Sequence, residues 1–209
     1  MSPEESTFRA YTPTQASSYS AHRTAYHPRL YSAILSHHTS TSGQLGTLVD
    51  LGCGPGNSTR PLAKHFDNAY GIDASEGMIG AARADGGVTA TGRPVRFEIG
   101  RAESCGRGIV GNEDVRPDGK RDGDPEVGTH RVDLVTGGMA AHWFDLKEFW
   151  SNAQVMVKSG GTIAFWIVDH MYFRKSVTLS TSPISRVFPR LVVKTTERRI
   201  LERYNLPLT

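Results

Sequence analysis

The sequence predicts an α/β domain in which a doubly wound, mostly parallel sheet lies between two layers of helices. Short apolar segments alternate with segments of helical spacing from residue 28 to residue 168. Strands that alternate with helices form parallel sheets with right-handed crossovers, and both faces of the sheet are covered. Apolar residues make up 38% of the 209 residues, with a further 22 glycines, which is enough to bury a core.

The individual elements follow from local patterns. Helices are predicted at residues 28–38, 58–66, 75–84 and 146–157. Strands are predicted at residues 47–51, 69–73, 95–99, 132–136 and 162–168. Ser75 is a good N-cap for the third helix, and Ser159-Gly160-Gly161 is expected to end the fourth.

Composition divides the chain into three parts. Residues 1–45 form a polar arm and a cap helix, residues 46–170 form the sheet domain, and residues 171–209 form a basic segment. The charged, glycine-rich stretch 106–131 inside the domain is expected to be a flexible insertion. The basic segment carries a net charge of +6, which leaves −3 for the first 170 residues out of a total of +3. We interpret it as a strand at 190–195 and a solvated amphipathic helix at 196–205.

Several protein classes are disfavoured. No apolar run approaches the roughly 20 residues that cross a bilayer, and the polar N-terminus lacks a secretory core. Two cysteines cannot build a disulfide framework, so we expect a cytoplasmic protein. The cysteines are 52 residues apart and offer no second ligand pair, so no metal site is predicted.

The segment with the clearest functional signal is VDLGCGPGNS, residues 49–58, where the first strand meets the next helix. Its glycines allow a sharp turn and a close approach of main chain to ligand. A dinucleotide fingerprint would need a third glycine at residue 57, which is Asn, and no Lys-Ser/Thr follows as in a Walker loop. Asp50 before the glycines favours a cationic cofactor over a pyrophosphate.

Asp73 ends the second strand, 21 residues after Gly52. A carboxylate at about this distance accepts hydrogen bonds from both hydroxyls of a ribose in nucleotide-binding sheets. The alternative is an N-cap for the helix that follows, and the two roles are compatible.

These motifs carry a resemblance. VDLGCGPGNSTR, GIDASEGMI, GRAES, VDLVTGGMAAHWFD and VKSGGTIAFW resemble, in this order, the motifs of Rossmann-like class I S-adenosylmethionine-dependent methyltransferases. Within that superfamily the chain resembles most the trans-aconitate methyltransferase-like group, particularly its fungal members. The segment YSAHRTAYHPRLY is similar to that group's N-terminal cap, and the likeness extends from Tyr19 to Val168 around the insertion.

The resemblance implies S-adenosylmethionine as the cofactor and a set of contacts with it. The residues implied in cofactor binding are Asp50, Gly52, Cys53, Gly54, Gly56, Asp73, Ala74, Met78, Ala102, Glu103, Gly137 and Tyr19. The loop backbone and Asp50 would hold the methionine part, and Asp73 would hold the ribose. Met78, Ala102 and Glu103 would surround the adenine, while Gly137 and Gly138 would lie beneath the sulfonium.

The implied acceptor side consists of residues that close over the site or line its mouth. These are Tyr19, Arg23, Tyr26, His142 and Trp143.

Methyl transfer from a sulfonium is an in-line displacement, so the protein mainly orients the reactants and excludes water. A carboxylate acceptor needs a cation to position it, and Arg23 is the candidate. A hydroxyl acceptor needs a base, and His142 or His22 could serve. Cys53 is interpreted as a small buried filler.

The chain departs from the superfamily pattern after Val168, where 41 residues replace the usual last two strands and their helix. We therefore expect a fold shortened at the C-terminus, with a sheet edge through which a homo-oligomer could form.

The predicted function is transfer of a methyl group to a carboxylate or hydroxyl oxygen of a small metabolite. The alternative is a cofactor-binding, truncated or non-methylating relative. The hypothesis of RNA methylation is weakened, because the sequence after the fourth strand is TGGMAAHW and not an aromatic-proline catalytic tetrapeptide. We expect no nucleic-acid or membrane partner.

Overall fold

A parallel sheet organises the chain. The computed structural model describes residues 26–104 and 131–167 and the backbone of residues 191–194. Within these ranges the strands are β1 (Thr47–Leu51), β2 (Asn68–Asp73), β3 (Arg96–Ile99), β4 (Val132–Gly138), β5 (Val157–Trp166) and β6 (Leu191–Lys194). All neighbours pair in parallel in the order β3-β2-β1-β4-β5-β6. The strand order reverses between β1 and β4, which confirms the predicted doubly wound topology.

Helices cover both faces of this sheet. They are α1 (Pro28–Ser40), α2 (Thr59–Ala63), α3 (Glu76–Asp85) and α4 (Leu146–Met156), with single 3₁₀ turns at Ala102–Ser104 and Ala141–Trp143. Apolar residues of α1, α2 and α3 belong to one buried cluster, and those of α4 belong to a second. The three-layer arrangement is therefore confirmed. None of the described helices is long and apolar enough to span a membrane.

Local signals set the helix boundaries. Ser75 caps α3 as predicted, because its hydroxyl accepts a hydrogen bond from the Met78 amide. The prediction for α2 is wrong at its end, since the helix stops at Ala63 and not at Phe66. The amides of His65 and Phe66 bond to carbonyls three residues back, so the last turn tightens and Phe66 enters the core with no exposed surface.

The start of β5 also differs from the prediction. Ser159-Gly160-Gly161 was expected to separate α4 from a strand at 162, but the strand begins at Val157, directly after the helix. Val157 pairs with Val132 and Thr162 pairs with Leu134, so β5 advances five residues while β4 advances two. The extra residues of β5, which include the two glycines, form a bulge. The bulge brings Lys158 to the buried Asp133 carboxylate, with the two charged atoms 2.9 Å apart.

Four sequence predictions concern the ends of the chain and the insertion. The strand predicted at 190–195 is confirmed as β6, which pairs with β5. The polar arm up to residue 25, residues 105–130 of the insertion region and the predicted helix at 196–205 lie outside the described residues.

Phe149 tests the packing under α4. Its side chain is fully buried and its ring contacts Phe144, Trp150 and Phe165. We expect Phe149→Ala to lower the free energy of unfolding by about 3–5 kcal/mol, because a large aromatic cavity opens. Val155→Ala on the same helix is the control, since Val155 is 41% exposed and its truncation should cost under about 0.5 kcal/mol. Urea denaturation measures both, and equal losses would contradict this description of the core.

Candidate functional site

A crevice lies at the carboxyl ends of β1, β2 and β4, where the strand order reverses. In open α/β sheets this is the position at which ligands bind. The described residues lining it are Tyr26, Gly52, Cys53, Gly54, Pro55, Asn57, Ser58, Asp73, Met78, Gly138, Met139, Ala140, His142 and Trp143. The glycine loop thus meets residues from after β4 across the crevice.

Asp50 lies beneath the crevice and ties its parts together. One carboxylate oxygen accepts hydrogen bonds from the hydroxyls of Ser58, at 2.8 Å, and Thr59, at 2.6 Å. The other oxygen accepts from the Thr136 hydroxyl of β4 at 2.7 Å. Burial raises the pKa of Asp50, and the three hydroxyl bonds oppose that rise. The loop between β1 and α2 is therefore held at both ends by one side chain.

The backbone of this loop takes conformations that favour glycine. Gly52, Gly54 and Gly56 have φ values of +63°, +54° and +87°. At Gly52 a Cβ atom would lie 2.4 Å from the Cβ of Ala140, so the loop and the segment after β4 approach each other only because residue 52 has no side chain. The Cys53 amide bonds to the Ile72 carbonyl of β2, which fixes the loop against the neighbouring strand.

Asp73 ends β2 at the crevice wall. Its two oxygens accept hydrogen bonds from the amides of Gly54, at 2.8 Å, and Ser75, at 2.9 Å. Burial raises the pKa of Asp73, with a further rise from the Asp50 charge, while the amide bonds lower it. Because each carboxylate oxygen can accept two hydrogen bonds, both retain acceptor capacity for a ligand.

Arg60 holds the loop from the side facing α3. Its guanidinium donates to the carbonyls of Pro55 and Gly86, each at 2.7 Å, and lies over the Phe97 ring at 5.6 Å. An ion pair joins it to Asp85 at 3.3 Å. Arg60 thus connects the middle of the glycine loop to the C-terminus of α3. Sequence reasoning missed this residue, because the carbonyls that it binds show no sequence pattern.

Aromatic and apolar residues form the other side of the crevice. The rings of His142 and Trp143 lie 4.7 Å apart, and Trp143 is 50% exposed at the mouth. Met139 has a φ of +58°, an uncommon value for a residue with a side chain, and its amide bonds to the Trp166 carbonyl. Strained backbone of this kind clusters at functional sites.

Several predicted site residues lie away from the crevice wall. Asp50 is below the loop, where its carboxylate organises hydroxyls and does not line the crevice. Gly56 packs near Phe97, and Gly137 packs near Phe165. Ala74 is exposed beyond β2.

Ala102 and Glu103 pack toward α4 and do not line the crevice. Ala102 belongs to the buried cluster beneath that helix. Glu103 accepts the Asp145 amide at the start of α4, and its carbonyl accepts from Asn152. Of the acceptor-side predictions, Tyr26, His142 and Trp143 line the crevice, while Tyr19, His22 and Arg23 lie outside the described residues.

The electrostatic character of the crevice is anionic. Asp73 is the only carboxylate among its described lining residues, and no lysine or arginine is among them. Burial raises the pKa of the Cys53 thiol well above its usual range, and the charges of Asp73 and Asp50 raise it further. The thiol is therefore protonated, which agrees with its interpretation as a filler. The described residues contain no group of three His, Cys, Asp or Glu side chains that could hold a metal ion.

Part of the chain matches a known protein family. Residues 48–108, which contain the loop, Asp73 and α3, match the family described as Methyltransferase domain. This segment is similar to class I, S-adenosylmethionine-dependent methyltransferases. Among solved structures, the fold is similar to that of an S-adenosylmethionine-dependent methyltransferase from Clostridium acetobutylicum, with 17% identity and a TM-score of 0.50 over 73% of this chain and 55% of that one. A structure from Methanococcus maripaludis is 19% identical, with a TM-score of 0.52 over 80% of this chain and 67% of that one.

The curated relatives that this chain matches are longer proteins. Saccharomyces cerevisiae "Probable S-adenosylmethionine-dependent methyltransferase CRG1" is 26% identical over 73% of this chain and 45% of its own length. Aspergillus candidus "Methyltransferase cfoB" is 25% identical over 88% of this chain and 52% of its own length. A trans-aconitate 2-methyltransferase of Yersinia pestis is 48% identical, but over 52 residues only, which are 24% of this chain and 19% of that protein. The chain therefore spans about half the length of the first two relatives.

Arg60 gives a test of the methyltransferase crevice that leaves its lining intact. We expect Arg60→Ala to raise the Kd for S-adenosylhomocysteine on the order of tenfold, about 1.4 kcal/mol, because the Pro55 turn loses its charged donor. The matched control is Arg83→Ala, since Arg83 binds the Phe97 carbonyl and Glu98 on β3 and does not touch the loop. Isothermal titration calorimetry measures both variants. An unchanged Kd in Arg60→Ala would show that the loop does not need this anchor.

Proposed function

We propose that the chain transfers the methyl group of S-adenosylmethionine to an oxygen of a small metabolite, a carboxylate in the first place and a hydroxyl as the alternative. The observation that carries this proposal is the crevice itself, whose described wall combines a glycine loop with the Asp73 carboxylate and contains no lysine or arginine. Such a wall favours a cationic nucleoside and repels a pyrophosphate.

The crevice residues fit the cofactor by their chemistry. Asp73 keeps acceptor capacity that suits the two hydroxyls of a ribose. Met78 is a buried apolar residue on the wall beside Asp73 and suits an adenine edge. The neutral Cys53 and the glycines add no positive charge against a sulfonium. When bound, the cofactor supplies a methyl group that is already activated on its sulfonium.

The chain's own residues orient the acceptor and exclude water. Tyr26, Met139 and Trp143 bring large apolar groups to the crevice opposite the loop. A displacement reaction gains from this confinement, because an aligned nucleophile loses less entropy on reaching the transition state. Removal of water also favours a step in which the positive charge of the sulfonium is dispersed.

The two acceptor classes make different demands on His142. A carboxylate is ionised at neutral pH and needs only a positioning cation, for which Arg23 is the proposal. A hydroxyl needs a base, and His142, which lines the crevice, is the proposed base. The short likeness to a trans-aconitate 2-methyltransferase supports the carboxylate class without naming the substrate of this chain.

A labelled-methyl assay tests the proposed function. The purified chain is incubated with S-adenosyl-L-[methyl-³H]methionine and a panel that contains trans-aconitate, other small carboxylic acids and small phenols. We expect label in at least one acid, with His142→Ala retaining transfer to a carboxylate and losing most of it to a phenol. Calorimetric binding of the cofactor without transfer to any compound would instead favour a cofactor-binding protein that does not methylate.

The pKa of Asp73 predicts how cofactor affinity depends on pH. The pKa is raised in the folded chain, so protonation of the carboxyl begins at a higher pH than for an ordinary aspartate. A protonated carboxyl loses acceptor capacity, so the Kd for S-adenosylhomocysteine should rise as the pH falls through this pKa.

The Asp73→Asn variant isolates this effect. We expect it to bind about tenfold more weakly at pH 7.5, since a charged hydrogen bond is lost. The weakening on acidification should be much smaller in this variant than in the wild type. Asp67→Asn, at an exposed position before β2, is the control and should keep the wild-type profile. Equal pH profiles for wild type and Asp73→Asn would contradict the assignment of the ribose to Asp73.

A further inference from the structure

Met139 lines the crevice with a backbone conformation that residues with a side chain seldom adopt. Its φ of +58° lies in the left-handed region. Among the described residues other than glycine, Ser42 is the second with a positive φ. Ser42 lies just after the C-cap of α1, and helices commonly end with one residue in this conformation. Met139 follows a strand, so no helix end accounts for its backbone.

Neighbouring residues hold Met139 in this conformation from both sides. Its own amide donates to the Trp166 carbonyl at 2.8 Å. The residue before it, Gly138, is so near the Trp166 indole that a Cβ atom on it would lie 2.5 Å from that ring. The residue after it, Ala140, packs against the glycine loop, where a Cβ atom on Gly52 would lie 2.4 Å from the Ala140 Cβ. Strained backbone persists where the surrounding structure imposes it in this way.

A glycine at position 139 would take this conformation without strain, so the methionine side chain has a cost in stability. The chain does place glycine at positive φ across the crevice, at Gly52, Gly54 and Gly56. It places methionine in the opposite wall. A costly side chain on a ligand crevice indicates a contribution to binding that offsets its cost to the fold.

Met139 lies on the side of the crevice away from the residue proposed to bind the ribose. It follows β4, whereas Asp73 ends β2, and β1 runs between these strands. Two strand intervals correspond to about 10 Å. The residues that line the wall beside Met139 are the buried Ala140, His142 and the half-exposed Trp143. Apart from His142, this part of the wall is therefore apolar.

We propose that the Met139 side chain contacts the carbon skeleton of the methyl acceptor and makes the site prefer an acceptor oxygen attached to a flat, apolar skeleton. This inference rests on the proposed function and deepens it, because it narrows the class of acceptor. A thioether side chain is unbranched and polarisable, so it packs well against aromatic groups. The described crevice lining contains no lysine or arginine that would pair with further charges on the skeleton. Met139 orients the acceptor and exchanges no proton with it.

Methionine methyl resonances test the contact directly. The full chain is labelled with ¹³C at the methyl groups of its five methionines, saturated with S-adenosylhomocysteine, and titrated separately with acetate, trans-cinnamate and phenol. The Met139 signal is assigned from its absence in Met139→Leu. We expect it to move with trans-cinnamate or phenol and clearly less with acetate, while the signal of Met156, buried in the cluster under α4, stays in place. A Met139 signal that no probe moves, or that acetate moves as far as the aromatic probes, overturns the proposal.

Two variants give a kinetic readout of the side chain. Met139→Ala keeps the positive φ and removes the thioether. We expect it to raise the KM for the methylated acceptor about tenfold and to change the Kd for S-adenosylhomocysteine less than about twofold. Met139→Leu keeps an apolar side chain of similar volume, so its KM should stay within about threefold of the wild-type value.

Met139→Gly adds a readout that a merely structural role would not give. It removes the same side chain but relieves the backbone, so it should unfold at a higher urea concentration than Met139→Ala while its KM is raised at least as much. Ser42→Gly is the matched control, because it relieves a positive φ at an exposed helix end. We expect it to raise the urea midpoint and to leave the KM unchanged. Equal urea midpoints for Met139→Gly and Met139→Ala overturn the argument from strain.

The outcomes separate this inference from the proposed function. An unchanged KM in Met139→Ala, with transfer intact, overturns the role of Met139 and leaves the proposed function standing. Failure of the wild-type chain to transfer label to any compound counts against the proposed function. In that case the resonance titration still decides whether Met139 contacts an apolar ligand.

Discussion

The buried carboxylate of Asp50 is the interaction on which the crevice depends. A charge without solvent is costly unless it is fully hydrogen-bonded, and three hydroxyls at 2.6–2.8 Å satisfy it. Those hydroxyls belong to the start of α2 and to β4, so the same bonds close the glycine loop and join it to the neighbouring strand. Loss of this carboxylate would free the loop ends and leave three buried hydroxyls without their acceptor.

The cofactor side of the crevice is built largely from the backbone of one loop. A short segment of sequence is therefore enough to indicate which cofactor class binds there. Residues 48–108 contain the loop, Asp73 and α3, and they are the residues that match the family described as Methyltransferase domain. The acceptor side depends on side chains such as Met139, His142 and Trp143, which come from beyond that stretch. The cofactor class is therefore readable from the family match, whereas the acceptor must be inferred from the crevice.

Local patterns predicted most of the fold, and long-range packing set the remainder. Strand β1 and the cap of α3 followed from apolar runs and from Ser75, because these signals lie within a few residues. The bulge at Gly160 and the early end of α2 were mispredicted, since they depend on pairing with β4 and on burial of Phe66. Asp50 was predicted near the cofactor amine, but its partner Thr136 is 86 residues away and gives no sequence signal.

We infer that Asp50 holds the anionic glycine loop in its binding conformation before a sulfonium nucleoside arrives. A crystal structure of the full chain with S-adenosylhomocysteine, compared with the ligand-free crystal, tests it most directly. We expect the ribose hydroxyls to bind Asp73 and the loop backbone at residues 52–57 to be the same in both crystals. An empty crevice, a nucleoside bound elsewhere, or a loop that refolds around the ligand would contradict it.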